Sequence, residues 1–170
     1  MTTPSISDRV TWPDGYSWRL AAPADAELIQ FHREAMFLDM GAETVKLRRA
    51  HAASLIWHRR SLDNGTYTGF LVEHGNPVVA SAGVLWQDLP PSALSEGPVR
   101  AYILNVYVSP EHRGRALARH LVDVALQECR RRGVTVVTLH ASGAGRPTYA
   151  RLGFQPTEEM RLILTADDPS

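Results

Sequence analysis

A short basic turn in the second half of the chain has the composition of a phosphate-binding loop. It follows a β-branched and aromatic run that ends at Val108, and it leads into a helical pattern. The first N–H groups of a helix lack intrahelical partners and carry a partial positive charge, so a helix that begins in such a turn can bind a pyrophosphate. The turn consists of Arg113, Gly114, Arg115, Ala116, Leu117 and Ala118. We therefore expect an anionic, phosphate-bearing ligand.

The spacing of the turn excludes two common phosphate-binding motifs. A P-loop needs Gly-x-x-x-x-Gly-Lys-Ser/Thr, and a dinucleotide fold needs Gly-x-Gly-x-x-Gly, and neither occurs in this sequence. The turn instead resembles the Arg/Gln-x-x-Gly-x-Gly/Ala pyrophosphate loop of the GCN5-related N-acetyltransferase (GNAT) superfamily. Ala116 stands where that superfamily usually has glycine. If its φ is negative, as it would be inside a helix, alanine is the mildest replacement.

A second segment agrees with this resemblance. A β-branched run over 135–140 is followed by a loop of small residues that includes Ser142, and then by Tyr149, Leu152, Gly153 and Phe154. This Tyr-x-x-Leu-Gly-Phe ending is similar to one that is frequent in the superfamily. The two motifs occur in the expected order, separated by one helix and one strand. The chain is thus identified as a member of the GNAT superfamily.

The hydrophobic periodicity predicts the elements that would position these motifs. In chain order they are a strand at 18–20, helices at about 23–41 and 44–62, strands at 67–72, 78–85 and 101–108, a helix from about 117, a strand at 135–140, a short helix around Tyr149 and a final strand at 160–164. In the first helix we expect one apolar face, formed by Leu28, Phe31, His32, Ala35 and Leu38. We expect a buried stripe in the helix after the turn, formed by Ala118, Leu121, Val122, Ala125 and Cys129.

This order predicts an α/β protein with a mixed sheet, of the α+β kind. The resemblance implies the GNAT-like acyl-CoA N-acyltransferase fold, in which a central splayed sheet is flanked by helices. We expect a single domain over residues 1–170, with an ordered core at about 17–165 and polar termini.

The resemblance also implies roles for individual residues. The pantetheine arm of acetyl-CoA would lie between the strands at 101–108 and 135–140 and hydrogen-bond to the backbone of Val106 and Val108, as an added strand would. An N–H near Val106 would stabilise the oxyanion, and Tyr149 would protonate the departing thiolate. Apart from the resemblance, Ser142 is a further candidate at the cofactor site, where it would orient the substrate or the tyrosine, and an ordinary turn role is its alternative. A packing role is the alternative for Tyr149.

The base that would deprotonate the amine is left open. The strand at 101–108 carries neither a carboxylate nor a histidine, and its Asn105 can only hold a water or an acceptor group. His140, at the end of its strand, is the candidate imidazole, and a hydrogen-bonded structural role is its alternative. Asp88 and Glu73 are further candidates that would act through water.

The composition argues against other classes of function. The sequence has 18 Lys and Arg residues and 18 Asp and Glu residues, so no net charge favours nucleic acid or an anionic membrane. The 7 histidines form no His-Glu-x-x-His motif, and no metal site is expected. The single cysteine, Cys129, is expected to be a buried hydrophobe. No run has the pattern of a transmembrane helix or a signal peptide, and we expect a cytoplasmic protein.

The predicted function is transfer of the acetyl group of acetyl-CoA to the primary amine of a small molecule, with a homodimer as a further expectation. One alternative is a protein or peptide acceptor, or a longer acyl donor. Another is an acyl-CoA-binding module without turnover, which the alanine at Ala116 and the missing base would favour. Acceptor choice is expected to depend on the loop at 86–99 and on Phe37, Asp39, Met40 and Glu43.

Overall fold

The structure is a computed structural model that describes residues 10–164. Its strands and helices are β1 (Tyr16–Leu20), α1 (Ala26–Asp39), α2 (Thr44–Asp63), β2 (Tyr67–His74), β3 (Val78–Asp88), β4 (Val99–Val108), α3 (Leu117–Arg131), β5 (Val137–Leu139) and α4 (Arg146–Arg151). The five strands form one sheet in the order β1-β2-β3-β4-β5. Strands β1 to β4 pair antiparallel, whereas β5 pairs parallel to β4. The predicted mixed sheet is confirmed.

The sheet separates two apolar cores. Phe70 packs with the buried face of α3, and its neighbour Leu71 packs with α1 and α2 on the opposite side, because successive strand residues point to opposite faces. Most of the predicted stripe on α3 is buried, namely Leu121, Val122, Ala125 and Cys129. Burial raises the pKa of the Cys129 thiol to about 11, which fits its expected packing role.

Strand β4 contains a bulge near its centre. Ser81 of β3 pairs with Tyr107, whereas Gly83 pairs with Leu104, so β4 has one residue more than β3 over this stretch. Asn105 lies inside the bulge and has a left-handed backbone, with φ of 57°. The extra residue changes which backbone groups face each edge of β4.

The sheet opens between β4 and β5. The two strands pair only at Ala101, Tyr102 and Ile103, which lie opposite β5. Beyond Ile103, no described strand pairs with this edge of β4. The result is a cleft between the second half of β4 and the end of β5, which is the splay that the resemblance implies.

The predicted final strand at 160–164 is wrong. The structure gives this segment no strand, and its apolar side chains are exposed, with Met160 at 94% and Leu162 at 81%. A strand is stabilised by a hydrogen-bonded partner as well as by its side chains. The segment forms no ladder with β5, which is itself shorter than the predicted strand at 135–140.

The predicted inner face of α1 is also largely wrong. Phe31 is 64% exposed and Leu38 is 48% exposed, whereas Ile29 and Gln30 are buried. Of the predicted set only His32 is buried, and its Nδ1 lies 2.9 Å from the Ser81 hydroxyl of β3. The inner face of α1 is therefore partly polar, and hydrophobicity alone does not predict its polar part.

Candidate functional site

The N-terminus of α3 leaves a row of backbone donors available to a ligand. The first helical hydrogen bond runs from the N–H of His120 to the Ala116 carbonyl, at 3.0 Å. The backbone N–H groups of residues 114–119 have no acceptor among the described residues. These donors and the positive end of the helix dipole suit the two phosphates of a pyrophosphate.

Ala116 has a backbone conformation that was not expected. It is the N-cap of α3 and has φ of 59°, so the expectation of a negative φ inside the helix is wrong. An L-residue with a side chain costs roughly 1–2 kcal/mol in this left-handed region, because its Cβ approaches the following carbonyl. Gly114, two residues earlier, has φ of 77°, which glycine adopts without strain because it has no Cβ.

The two arginines of the turn contact the surrounding backbone. Arg113 donates from Nε to the Val108 carbonyl at 2.9 Å, and its guanidinium forms an ion pair with Asp39 at the end of α1. Arg115 donates from Nη1 to the Glu111 carbonyl at 2.7 Å. The turn is thereby tied both to the end of β4 and to α1.

Val106 and Val108 present their backbone groups to the cleft. The N–H of Ser109 donates to the Val79 carbonyl of β3, at 2.8 Å. Since alternate strand residues direct their backbone groups to opposite edges, those of Val106 and Val108 face away from β3. The bond from Arg113 to the Val108 carbonyl lies on that outer side. This open edge can accept an extended ligand as an additional strand.

Tyr149 lies on α4 and packs against the α3 side of the sheet. Its ring meets the Phe154 ring edge-on at a centroid distance of 6.1 Å, and burial raises the pKa of its phenol. The hydroxyl has no hydrogen-bond partner among the described residues. A Cβ on Gly145 would lie 2.8 Å from the Tyr149 ring, so the glycine makes room for it. Ser142 Oγ accepts the Gly145 N–H at 3.1 Å, at the start of α4.

The three candidate bases, His140, Glu73 and Asp88, differ in their exposure and in their partners. His140 is exposed, and Nη2 of Arg161 lies 3.1 Å from each of its ring nitrogens. Glu73 is engaged in an ion pair with Arg19 at 2.8 Å. Asp88 is exposed at the end of β3. The base therefore stays unassigned.

A polar network surrounds the bulge of β4. The Asn105 amide oxygen accepts from Arg33 Nη1 at 2.5 Å, and its amide nitrogen lies 3.1 Å from both Tyr67 Oη and His58 Nε2. His58 Nδ1 donates to the Ser54 carbonyl at 2.8 Å. A carbonyl can only accept, so Nδ1 carries the proton and Nε2 accepts from Asn105. Burial lowers the pKa of His58, which favours this neutral form.

The sequence did not assign a role to Arg33 or His58. Both lie on amphipathic helices, where an arginine or a histidine is ordinary. The one signal was Asn105, because an asparagine in the middle of a β-branched run is a poor strand former and tolerates a left-handed backbone. No cluster in residues 10–164 groups three or more His, Cys, Asp or Glu side chains that could hold a metal ion. None of the helices in that range is long and apolar enough to cross a membrane.

Comparison with known proteins agrees with this geometry. The family model described as "Acetyltransferase (GNAT) family" matches residues 26–154. The crystal structure of a GCN5-related N-acetyltransferase from Ralstonia eutropha JMP134 has a TM-score of 0.86 and 35% identity, over 88% of this chain and 99% of that chain. A predicted acetyltransferase from Clostridium acetobutylicum, solved with acetyl-CoA, has a TM-score of 0.81 and 27% identity, over 88% of this chain and 96% of that chain.

Curated relatives match over part of their length. N-acetyltransferase 8B of Rattus norvegicus is 38% identical over 94 residues, which are 53% of this chain and 40% of that protein. The match therefore spans less than half of that relative.

The predicted family and fold are confirmed, and they support the predicted class of acyltransferase with acetyl-CoA as co-substrate. Because the family model covers most of the described residues and the fold agrees with it, the chain belongs to the acetyltransferase (GNAT) family.

Proposed function

We propose that this chain transfers the acetyl group of acetyl-CoA to a primary amine of a small molecule, by direct transfer in a ternary complex. The observation that carries the proposal is the juxtaposition of free N–H groups at the start of α3 with the open edge of β4. Phosphates on α3 and a pantetheine arm along Val106 and Val108 would bring the thioester into the cleft.

The chemistry assigns one task to each group. The amine nitrogen forms a bond to the thioester carbonyl carbon, and the Val106 N–H donates to the oxygen that becomes negative. The carbon–sulfur bond then breaks, and Tyr149 gives its proton to the departing sulfur. The nitrogen releases one proton, through solvent or a base, and that proton restores the phenol. The products are an amide and CoA with a free thiol.

The acceptor would enter on the side covered by α1 and α2. A groove between these helices is lined by Glu34, Leu38, Thr44, Leu47, Arg48 and His51. The two acidic residues in the segment expected to influence acceptor choice are already in ion pairs, Asp39 with Arg113 and Glu43 with Lys46. Asp39 therefore connects the helix beside the acceptor to the loop that would bind the pyrophosphate.

The alternatives have less support. A module that binds acyl-CoA without turnover would need no proton donor, whereas the Tyr149 hydroxyl, which has no hydrogen-bond partner among the described residues, is available for the acid role proposed here. A protein acceptor, a longer acyl donor, a homodimer, the single domain over 1–170 and a cytoplasmic location stay predictions from the sequence. The roles of His140 and Ser142 stay predictions too.

The experiment is release of CoA thiol from acetyl-CoA in the presence of a panel of primary amines, with the acetylated product identified by mass spectrometry. We expect saturable, amine-dependent release that yields one acetyl amide for each thiol. A variant with Tyr149→Phe is the matched control for chemistry. Acetylation of peptides in preference to every free amine would favour the protein-acceptor alternative, and tight CoA binding without thiol release would favour the binding module.

A further inference from the structure

We propose that Arg33 binds a carboxylate of the acceptor, so that the acceptor is an amine that also carries a carboxylate close to its nitrogen, as an α-amino acid does. This inference rests on the proposed function, and it names the substrate class of the same site. It is carried by the position of the Arg33 guanidinium and by the partners that surround it.

The guanidinium of Arg33 lies where the sheet opens. Its Nη1 donates to Asn105, the residue that precedes the proposed oxyanion donor Val106. Asn105 itself follows closely on Tyr102 and Ile103, which form the last pairs with β5 before the two strands separate. The side chain extends from α1 along the Phe37 ring, whose centroid is 4.8 Å from the guanidinium carbon.

The charge of Arg33 has no anionic partner. No carboxylate among the described residues forms an ion pair with it, whereas Arg19, Arg59 and Arg113 each have at least one. The side chains that contact its guanidinium are neutral, namely the Asn105 amide and the Phe37 ring. Burial lowers its pKa, because the charged form loses water without gaining a counter-ion. Its Nε and Nη2 have no hydrogen-bond partner among the described residues, and neither is sealed from solvent.

A carboxylate fits this environment. Two free nitrogens on one edge of a guanidinium match the two oxygens of a carboxylate, which is the geometry of bidentate pairing. In an α-amino acid the nucleophilic nitrogen is two bonds from the carboxylate carbon, so an acid group on Arg33 brings the amine toward the Val106 backbone. A nearby cation also disfavours the ammonium form of the amine, which must lose a proton before it attacks.

The test compares amino acids with their carboxamides, which keep the side chain and the amine but lack the negative charge. The wild-type protein is expected to show a kcat/KM for the best amino acid at least about tenfold above that for its amide. Arg33→Gln should lower kcat/KM for the acid by about tenfold and leave that for the amide within about twofold. The control is Arg60→Gln, the same substitution at an exposed arginine on α2, which should change neither value.

Equal rates for acid and amide in the wild type, or an equal loss on both in Arg33→Gln, would overturn the inference and leave the proposed function standing. If no amine is acetylated, the proposed function fails, and calorimetric titration of the CoA-loaded protein with the amino acids then tests the inference separately. Binding to the wild type that is lost in Arg33→Gln supports the inference. Absence of binding to the wild type refutes it. If Arg33→Gln unfolds, Arg33→Lys replaces it. Lysine keeps the positive charge but lacks the two donors of the planar guanidinium, so this variant should retain only part of the preference for the amino acid over its amide.

Discussion

At the scale of single residues, Tyr149 is held in place by packing that also keeps it protonated. Burial raises the pKa of its phenol above the ordinary value of 10.0, so the proton is present throughout the neutral range. Tyr149→Phe should lower kcat by about 100-fold, the size of a lost general acid, with acetyl-CoA affinity within about twofold. Steady-state thiol release and equilibrium binding measure the two quantities. An unchanged kcat would remove Tyr149 from the chemistry and leave it a packing residue.

Ala116 carries strain that a glycine would relieve. Its φ of 59° is unfavourable for alanine and acceptable for glycine. Ala116→Gly should therefore raise the free energy of unfolding by about 1 kcal/mol, and acetyl-CoA should bind at least as tightly because the methyl no longer limits the approach of a phosphate. Urea unfolding and titration with acetyl-CoA give both values. A less stable variant would contradict the left-handed backbone at this position.

Residue types predicted the loop but not its backbone. The arginines and small residues at 113–118 indicated a phosphate site, and the free N–H groups there agree with it. The sign of φ at Ala116 depends on how the loop enters α3, which residue types alone do not specify. Arg33 was missed because its significance depends on Asn105, which is 72 residues away in sequence.

At the scale of elements, the bulge of β4 is the feature that aims Val106 into the cleft. Asn105 combines a left-handed backbone with three side-chain contacts, to Arg33, Tyr67 and His58. Asn105→Gly removes the side-chain contacts, but glycine adopts the left-handed backbone conformation without strain. Asn105→Ala removes the same contacts and also strains the backbone at this position. Both variants should be less stable than wild type, and the alanine variant by about 1 kcal/mol more, measured by urea unfolding. Equal stabilities would mean that the bulge relaxes when the contacts are lost.

Most elements were predictable because their patterns are local. The amphipathic stripe predicted α3, and the turn residues at 73–77 predicted the hairpin of β2 and β3. The strand at 160–164 was predicted from its apolar residues alone, although a strand also requires a partner edge, which a local pattern does not reveal. The inner face of α1 was largely missed because it mixes the apolar Ile29 with the polar Gln30, which receives a hydrogen bond from Ser54.

At the scale of the whole molecule, stability should depend on pH through buried histidines. Burial lowers the pKa of His32 from 6.5 to about 4, and the pKa of His58 is also lowered. The unfolded chain binds protons near pH 6.5 that the folded chain does not accept until about pH 4. The contribution of His32 to stability is therefore complete above pH 6.5 and decreases as the pH falls to about 4, by up to about 3 kcal/mol.

The measurement is the free energy of urea unfolding at several pH values between 7 and 4. His32→Gln, which can still bond to Ser81, should flatten the decrease. His140→Gln, at an exposed histidine, should reproduce the wild-type slope. A slope that His32→Gln leaves unchanged would show that other groups cause the pH dependence.

The proposed function requires that the cleft between β4 and β5, with the N-terminus of α3, binds acetyl-CoA. Thermal unfolding with acetyl-CoA, with free CoA and with NADPH tests it most directly. A ligand at a hundredfold excess over its Kd adds about 2.7 kcal/mol of stability, which raises the Tm by several degrees in a domain of this size. We predict such a shift with acetyl-CoA and with CoA, and none with NADPH. No shift with either CoA species, or an equal shift with NADPH, would contradict an acetyl-CoA site in this cleft.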